Sequence, residues 1–104
     1  MGQLERQSSS RNGTTQAVAY TGTSATCANP FGSATYQIRI ASTSACNYRV
    51  VDASGAALTT DAFLPNNWVE YVTVQPGQKI SAIQASSNGL VTATAGTLFV
   101  TEVS

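Results

Sequence analysis

Histidine is absent from this chain, which removes imidazole acid–base catalysis, the usual serine triad and the commonest metal ligand together. Cysteine is nearly absent: Cys27 and Cys46 are too few for a four-thiolate zinc site. Charge is scarce as well. Arg6, Arg11, Arg39, Arg49 and Lys79 stand against Glu5, Asp52, Asp61, Glu70 and Glu102, so 10% of residues are charged and the net is zero. Ordinary soluble domains carry about a quarter. Without a basic excess there is no footprint for neutralising phosphates, and a nucleic-acid partner is not expected. No apolar run approaches the ~18–20 residues of a membrane span. The opening MGQLERQSSSRNG has no apolar stretch of the kind that marks a secretory leader. Glycine-rich phosphate loops of the P-loop or dinucleotide type are missing too. Neither an enzyme nor a cofactor or metal site is expected.

What remains is a chain of 104 residues, enough for one domain, since single cores typically take about 100–150. Its surface must be covered largely by Ser, Thr, Asn and Gln. Such a neutral, hydroxyl-rich surface lacks long-range repulsion and suits a protein packed against copies of itself or a scaffold. A secreted module would share this composition. Residues 1–16 are polar and without periodicity, and read as an extended N-terminal arm, with Leu4, Arg6 and Arg11 as its candidate partner-binding residues. Residues 17–104 read as the folded domain. AVAYTG from Ala17 suggests a first strand, with Val18 and Tyr20 on one face. In TYQIRIA, Tyr36, Ile38 and Ile40 alternate with Gln37 and Arg39, the pattern of a half-buried strand. Cys46 to Val51 opposes Tyr48 and Val50 to Arg49 and Val51. Asp52 to Gly55 reads as a turn, and Ala56 to Ala62 is ambiguous.

The segment FLPNNWVEYVTVQPGQKISAIQ, Phe63 to Gln84, is the densest in strand and turn signals. Pro76 presets φ and Gly77 supplies a positive φ in Gln75-Pro76-Gly77-Gln78. This predicts a hairpin joining Trp68–Val74 to Lys79–Ala85. Ser86-Ser87-Asn88-Gly89 predicts another turn. Leu90 to Ala95 and Thr97 to Val103 would be the last strands, the final one apolar on both faces and hence central or covered by another subunit. Six to eight short strands with Gly, Pro, Asn and Ser between them, and no sustained helical period, predict an all-β fold. It is expected to be an antiparallel β-sandwich, jelly-roll or Ig-like.

Candidate chemistry is thin. Asp52 and Asp61 sit nine apart across a loop, as a conceivable carboxylate pair or as ordinary solvated acids. Cys27 and Cys46 flank the TYQIRIA strand. Bridged, they would remove roughly 3 kcal/mol of unfolded-state entropy; in a reducing cytosol they would stay small buried apolar residues. Arg39 and Arg49, outward on strands read as neighbours, suggest inter-subunit ion pairs or a solvated face. Trp68 and Tyr71 fit a core or subunit interface better than a sugar-stacking platform, because Val69, Val72 and Val74 surround them in sequence.

The C-terminal two-thirds of the chain resembles small structural proteins of tailed double-stranded DNA bacteriophages. The resemblance rests on a central strand like ATYQIRIAS and on a block carrying Leu64, Pro65, Glu70, Tyr71, Val74, Pro76, Gly77, Lys79, Ala82, Ile83 and Gln84. It closes on the terminal strand, Thr101 to Ser104. It implies a capsid cement or decoration subunit, a homotrimer on the capsid surface of the virion, assembled in the host cytoplasm and bridging major capsid proteins. A tail or head-fibre subunit and a carbohydrate-binding β-sandwich are the competing readings.

Overall fold

The computed structural model describes residues 12–52, 55–86 and 94–103. Among the described residues there are eight strands: β1 (Asn12–Tyr20), β2 (Ala25–Thr26), β3 (Gln37–Ser42), β4 (Cys46–Val51), β5 (Ala62–Leu64), β6 (Val69–Thr73), β7 (Lys79–Gln84) and β8 (Gly96–Val103). There is no helix among the described residues. The strands form two four-stranded sheets, ordered β1-β8-β3-β6 and β2-β7-β4-β5, with every pairing antiparallel. The expected all-β, two-sheet architecture is therefore present.

The pairings have a simple logic. First pairs with last (β1 with β8), second with seventh, third with sixth and fourth with fifth. This is the ladder of one long folded-back ribbon whose tip is the β4–β5 loop. Wrapping that ribbon around a core then adds the β3–β8 and β4–β7 seams. One apolar cluster fills the space between the sheets. Val18, Tyr20, Ile38, Ile40, Leu98 and Val100 come from the first sheet, and Cys46, Leu64, Ile80 and Ala82 from the second. The period-2 pattern of β3 produces this directly, since Ile38 and Ile40 are fully buried while Gln37 and Arg39 stay half-exposed on the other face.

Three sequence expectations change. Strand β1 begins at Asn12 rather than Ala17, so the segment read as an arm contributes residues 12–16 to a sheet, paired with the end of β8. Tyr36 precedes β3 and is 62% exposed rather than lining the core. The Gln75–Gln78 turn forms as expected, with Gly77 at φ +87° and Gln78 N–H donating to Gln75 O at 3.2 Å. Yet it does not close a hairpin. Strand β6 pairs with β3 in one sheet and β7 with β2 and β4 in the other. The turn carries the chain across the core, a step of about 10 Å between stacked sheets. It is anchored there by Phe31, whose N–H donates to Gln78 O and whose carbonyl accepts from Gly77 N–H. The final strand is central, lying between β1 and β3. Ser87 to Gly89 and the strand expected at Leu90 lie outside the described residues, apart from Thr94 and Ala95.

Cys27 and Cys46 are free thiols, both buried. Burial pushes the Cys46 thiol up to about 11 from its ordinary value near 9. Burial, reinforced by the hydrogen bond from Tyr48 Oη to Glu70 Oε1 (2.9 Å), pushes the Tyr48 phenol up to about 12. Both groups hold their protons more tightly folded than unfolded. Their contribution is therefore complete below the unfolded values and is lost as pH rises through the folded ones. Between about pH 6 and 9 the melting temperature should be level, and it should fall between about 9 and 12. Cys46→Ala and Tyr48→Phe should each flatten part of that decline. An unchanged slope in the double variant would remove these two groups from the explanation.

Candidate interaction surface

The two outer sheet faces differ in a way that bears on function. The outer face of the β2-β7-β4-β5 sheet is partly covered by the chain's own β4–β5 loop, with Phe63 and Arg49 left exposed. Gly55 O accepts from Thr26 Oγ1 (3.1 Å) and Ser81 Oγ (3.0 Å), and Ala57 N–H donates to Ser24 Oγ at 2.8 Å. Asn47 Nδ2 donates to Asp61 O at 2.9 Å. Ser81 and Asn47, outward-pointing polar residues, are buried as a result. No buried side-chain nitrogen or oxygen among the described residues lacks a partner, so this lid costs little in desolvation.

No described residue lids the outer face of the β1-β8-β3-β6 sheet in this way, although Thr101 and Val103 at its β8 end are buried. Its register sets two rows across all four strands: Ala17, Phe99, Ala41 and Val69, then Thr15, Thr101, Arg39 and Tyr71. Neighbours within a row stand about 4.5–5.5 Å apart. Phe99, Val69 and Tyr71 are exposed, and Arg39 is the single charge among these eight residues. At the end of β6, Trp68 is 55% exposed. It is carried out of the core by a turn in which Asn67 takes φ +58°. Asn67 N–H donates to Ser42 O at 3.0 Å, and Ser42 Oγ donates to Pro65 O at 3.1 Å. The core placement considered for Trp68 does not hold: its strand starts one residue later, and Trp68 itself is exposed.

The remaining candidates are dispersed. Leu4, Arg6 and Arg11 lie outside the described residues. Arg39 and Arg49 occupy different sheets rather than neighbouring strands. Arg49 is engaged within the chain, Nη2 to Asp61 Oδ1 at 3.1 Å. The Leu58 N–H, donating to Asp61 Oδ2 at 2.7 Å, leads in holding the Asp61 carboxyl below its ordinary value, with Arg49 assisting. Asp52 accepts from Gln78 Nε2 at 3.0 Å, so the two aspartates serve separate loop contacts. No group of three or more Cys, Asp or Glu among the described residues is arranged to hold a metal. No described helix is long and apolar enough to cross a membrane, a statement that does not bear on β-barrels.

The Phe99–Ala41–Val69 row was not singled out from sequence. Its signal is present in TLFVTEV, where Phe99 alternates with Leu98 and Val100, but only the register reveals that Ala17, Ala41 and Val69 align with it. No family model matches this chain, and no curated protein or solved structure matches it either.

Proposed function

We propose that this chain is a non-enzymatic structural subunit of a tailed-phage virion, a cement or decoration protein that lies on the capsid surface and bridges major capsid proteins. We further propose that its sandwich is a jelly roll rather than Ig-like. In support of the topology, the pairings run first-to-last inward, as in a ribbon wrapped into two Greek keys. An Ig-like sandwich would instead keep several sequential hairpins within one sheet. Jelly rolls serve capsids and lectins alike, so the function rests on the surface and not on the fold.

The observation that carries the proposal is the open, nearly uncharged outer face spanning β1, β8, β3 and β6, opposite a face the chain partly covers with its own loop. A subunit that cements others needs such a broad, weakly charged contact area, and repetition over a shell multiplies modest contacts into avidity. The phage resemblance supplies the identity of the partner, and implies a trimer assembled in the host cytoplasm. Purified chain added to capsids stripped of it should co-sediment with them and raise the temperature at which they release DNA. Phe99→Asp, at an exposed position, should abolish co-sedimentation while leaving the fold intact. Failure of the unsubstituted chain to bind would overturn the reading.

The exposure of Trp68 gives the carbohydrate-binding reading one specific support, since an exposed indole can stack on a pyranose face. Quenching of its fluorescence by glycans, with no capsid binding, would favour that reading.

A further inference from the structure

Strand β6 is an edge of its sheet, and the direction of its hydrogen bonds can be read from its register. Val74 N–H donates to Tyr36 O at 3.0 Å. Bonded and non-bonded pairs alternate along an antiparallel ladder, so Val72 and Glu70 are the residues bonded to Ile38 and Ile40. Val69, Tyr71 and Thr73 therefore direct their N–H and C=O groups away from β3, toward the free edge. No described residue bonds them. Their side chains are the exposed ones of the strand.

The other edges are guarded. Strand β2 has two residues and β5 three. Along β1 the register shifts between Asn12 and Thr15, and the Gln16 amide brackets Asn29, donating to its carbonyl and accepting from its N–H, both at 2.9 Å. Strand β6, VEYVT, has no proline, lysine or register shift; of the devices against edge pairing it carries one, an inward-pointing charge. Its one charge, Glu70, is turned to Tyr48.

We propose that β6 is a self-pairing edge: a second copy of this chain adds its own β6, antiparallel, about a two-fold axis at Tyr71. That register sets Tyr71 opposite Tyr71 of the second copy, Val69 opposite Thr73, and Glu70 opposite Val72. All three outward-directed residues then pair, for about six main-chain hydrogen bonds, around a central aromatic pair. The alternatives are poorer. Centring on Glu70 opposes two carboxylates, and centring on Val72 leaves Val69 without a partner. A chain of zero net charge does not repel its copy. The pairing also joins the two open apolar faces into one eight-stranded surface. Five residues of edge bury less than the roughly 800 Å² per partner of a standard interface, so the dimer is concentration-dependent. A two-fold contact of this kind does not close a trimer, so this pairing stands in place of the trimer that the phage resemblance implies, and the two predict different masses.

Sedimentation velocity of the full chain over a concentration series tests this in solution, independently of any capsid. The mass should rise from 10.8 kDa toward twice that value. Tyr71→Lys, at an exposed side chain, should stay folded by circular dichroism and weaken association at least about tenfold, since like charges then face each other. The register is tested by cross-linking. The two Tyr71 Cα atoms would stand about 5.5 Å apart, within the ~4.4–6.8 Å of a disulfide. Diamide oxidation should therefore link Tyr71→Cys chains and not Val69→Cys chains. A monomer at all concentrations, a species of three times the chain mass, or equal cross-linking at both positions would each overturn the proposal.

Discussion

Ile40→Ala should cost about 2–5 kcal/mol of folding stability, the usual range for emptying a fully buried aliphatic site. Ile40 has no exposed surface and sits in the middle of the first sheet, between Val100 of β8 and Glu70 of β6. It belongs to the cluster that both sheets share, so neither sheet can close over the gap without moving against the other. A domain of this size has roughly 5–15 kcal/mol in all, so the substitution removes a large part of it. The melting temperature should fall by about 10 °C or more, and the urea midpoint should fall with the slope unchanged. Phe99→Ala, one residue from buried Val100 in the neighbouring strand but facing outward, should cost under about 1 kcal/mol. Comparable losses for the two would mean that the outer face is covered in the free chain, contrary to the fold described.

Gly96→Ala should cost about 2–3 kcal/mol, for a reason unrelated to cavities. A Cβ at this first residue of β8 would strike Ser44 Oγ and come within 2.8 Å of both Thr43 Oγ1 and the Tyr20 hydroxyl. None of the three oxygens can simply swing aside. Tyr20 Oη donates to Ser44 O at 2.6 Å, and Ser44 Oγ lies 2.8 Å from Tyr20 Oη while donating to Thr94 O at 3.0 Å. Thr97 N–H donates to Thr43 Oγ1 at 3.0 Å. A methyl group therefore overpacks the junction and breaks hydrogen bonds around a buried tyrosine. Chemical denaturation of the variant checks the magnitude. A neutral result would show that the β3–β4 turn yields freely and that the Tyr20–Ser44 contacts contribute little.

How far the residues alone reveal this architecture depends on whether the relevant signal is local. The alternation in QIRIA fixes which face of β3 is buried without reference to any partner, and the burial of Ile38 and Ile40 follows. The Pro76-Gly77 turn is equally local, because its positive φ is a property of one glycine. The choice of partner strand is not local. A tight turn beside two β-rich segments is compatible with a hairpin or with a crossing between sheets, and the Phe31 contacts that select the crossing lie more than forty residues away in the chain. For the same reason Arg39 and Arg49 could be recognised as outward-facing but not as belonging to different sheets. Strand β1 starts early because NGTTQ, which has little strand propensity of its own, is held by pairing with β8. The open face was legible only in fragments: Tyr71 and Trp68 drew notice, whereas Ala17, Ala41 and Phe99 acquire meaning through register.

The most direct test of the proposed cement role is the copy number of this chain, measured against the major capsid protein, in phage particles purified from a culture that produces it. The account predicts a ratio near one to one, or a simple fraction maintained over the whole shell. A few copies per particle would move the chain to the tail or the vertices. Its absence from particles would contradict the account.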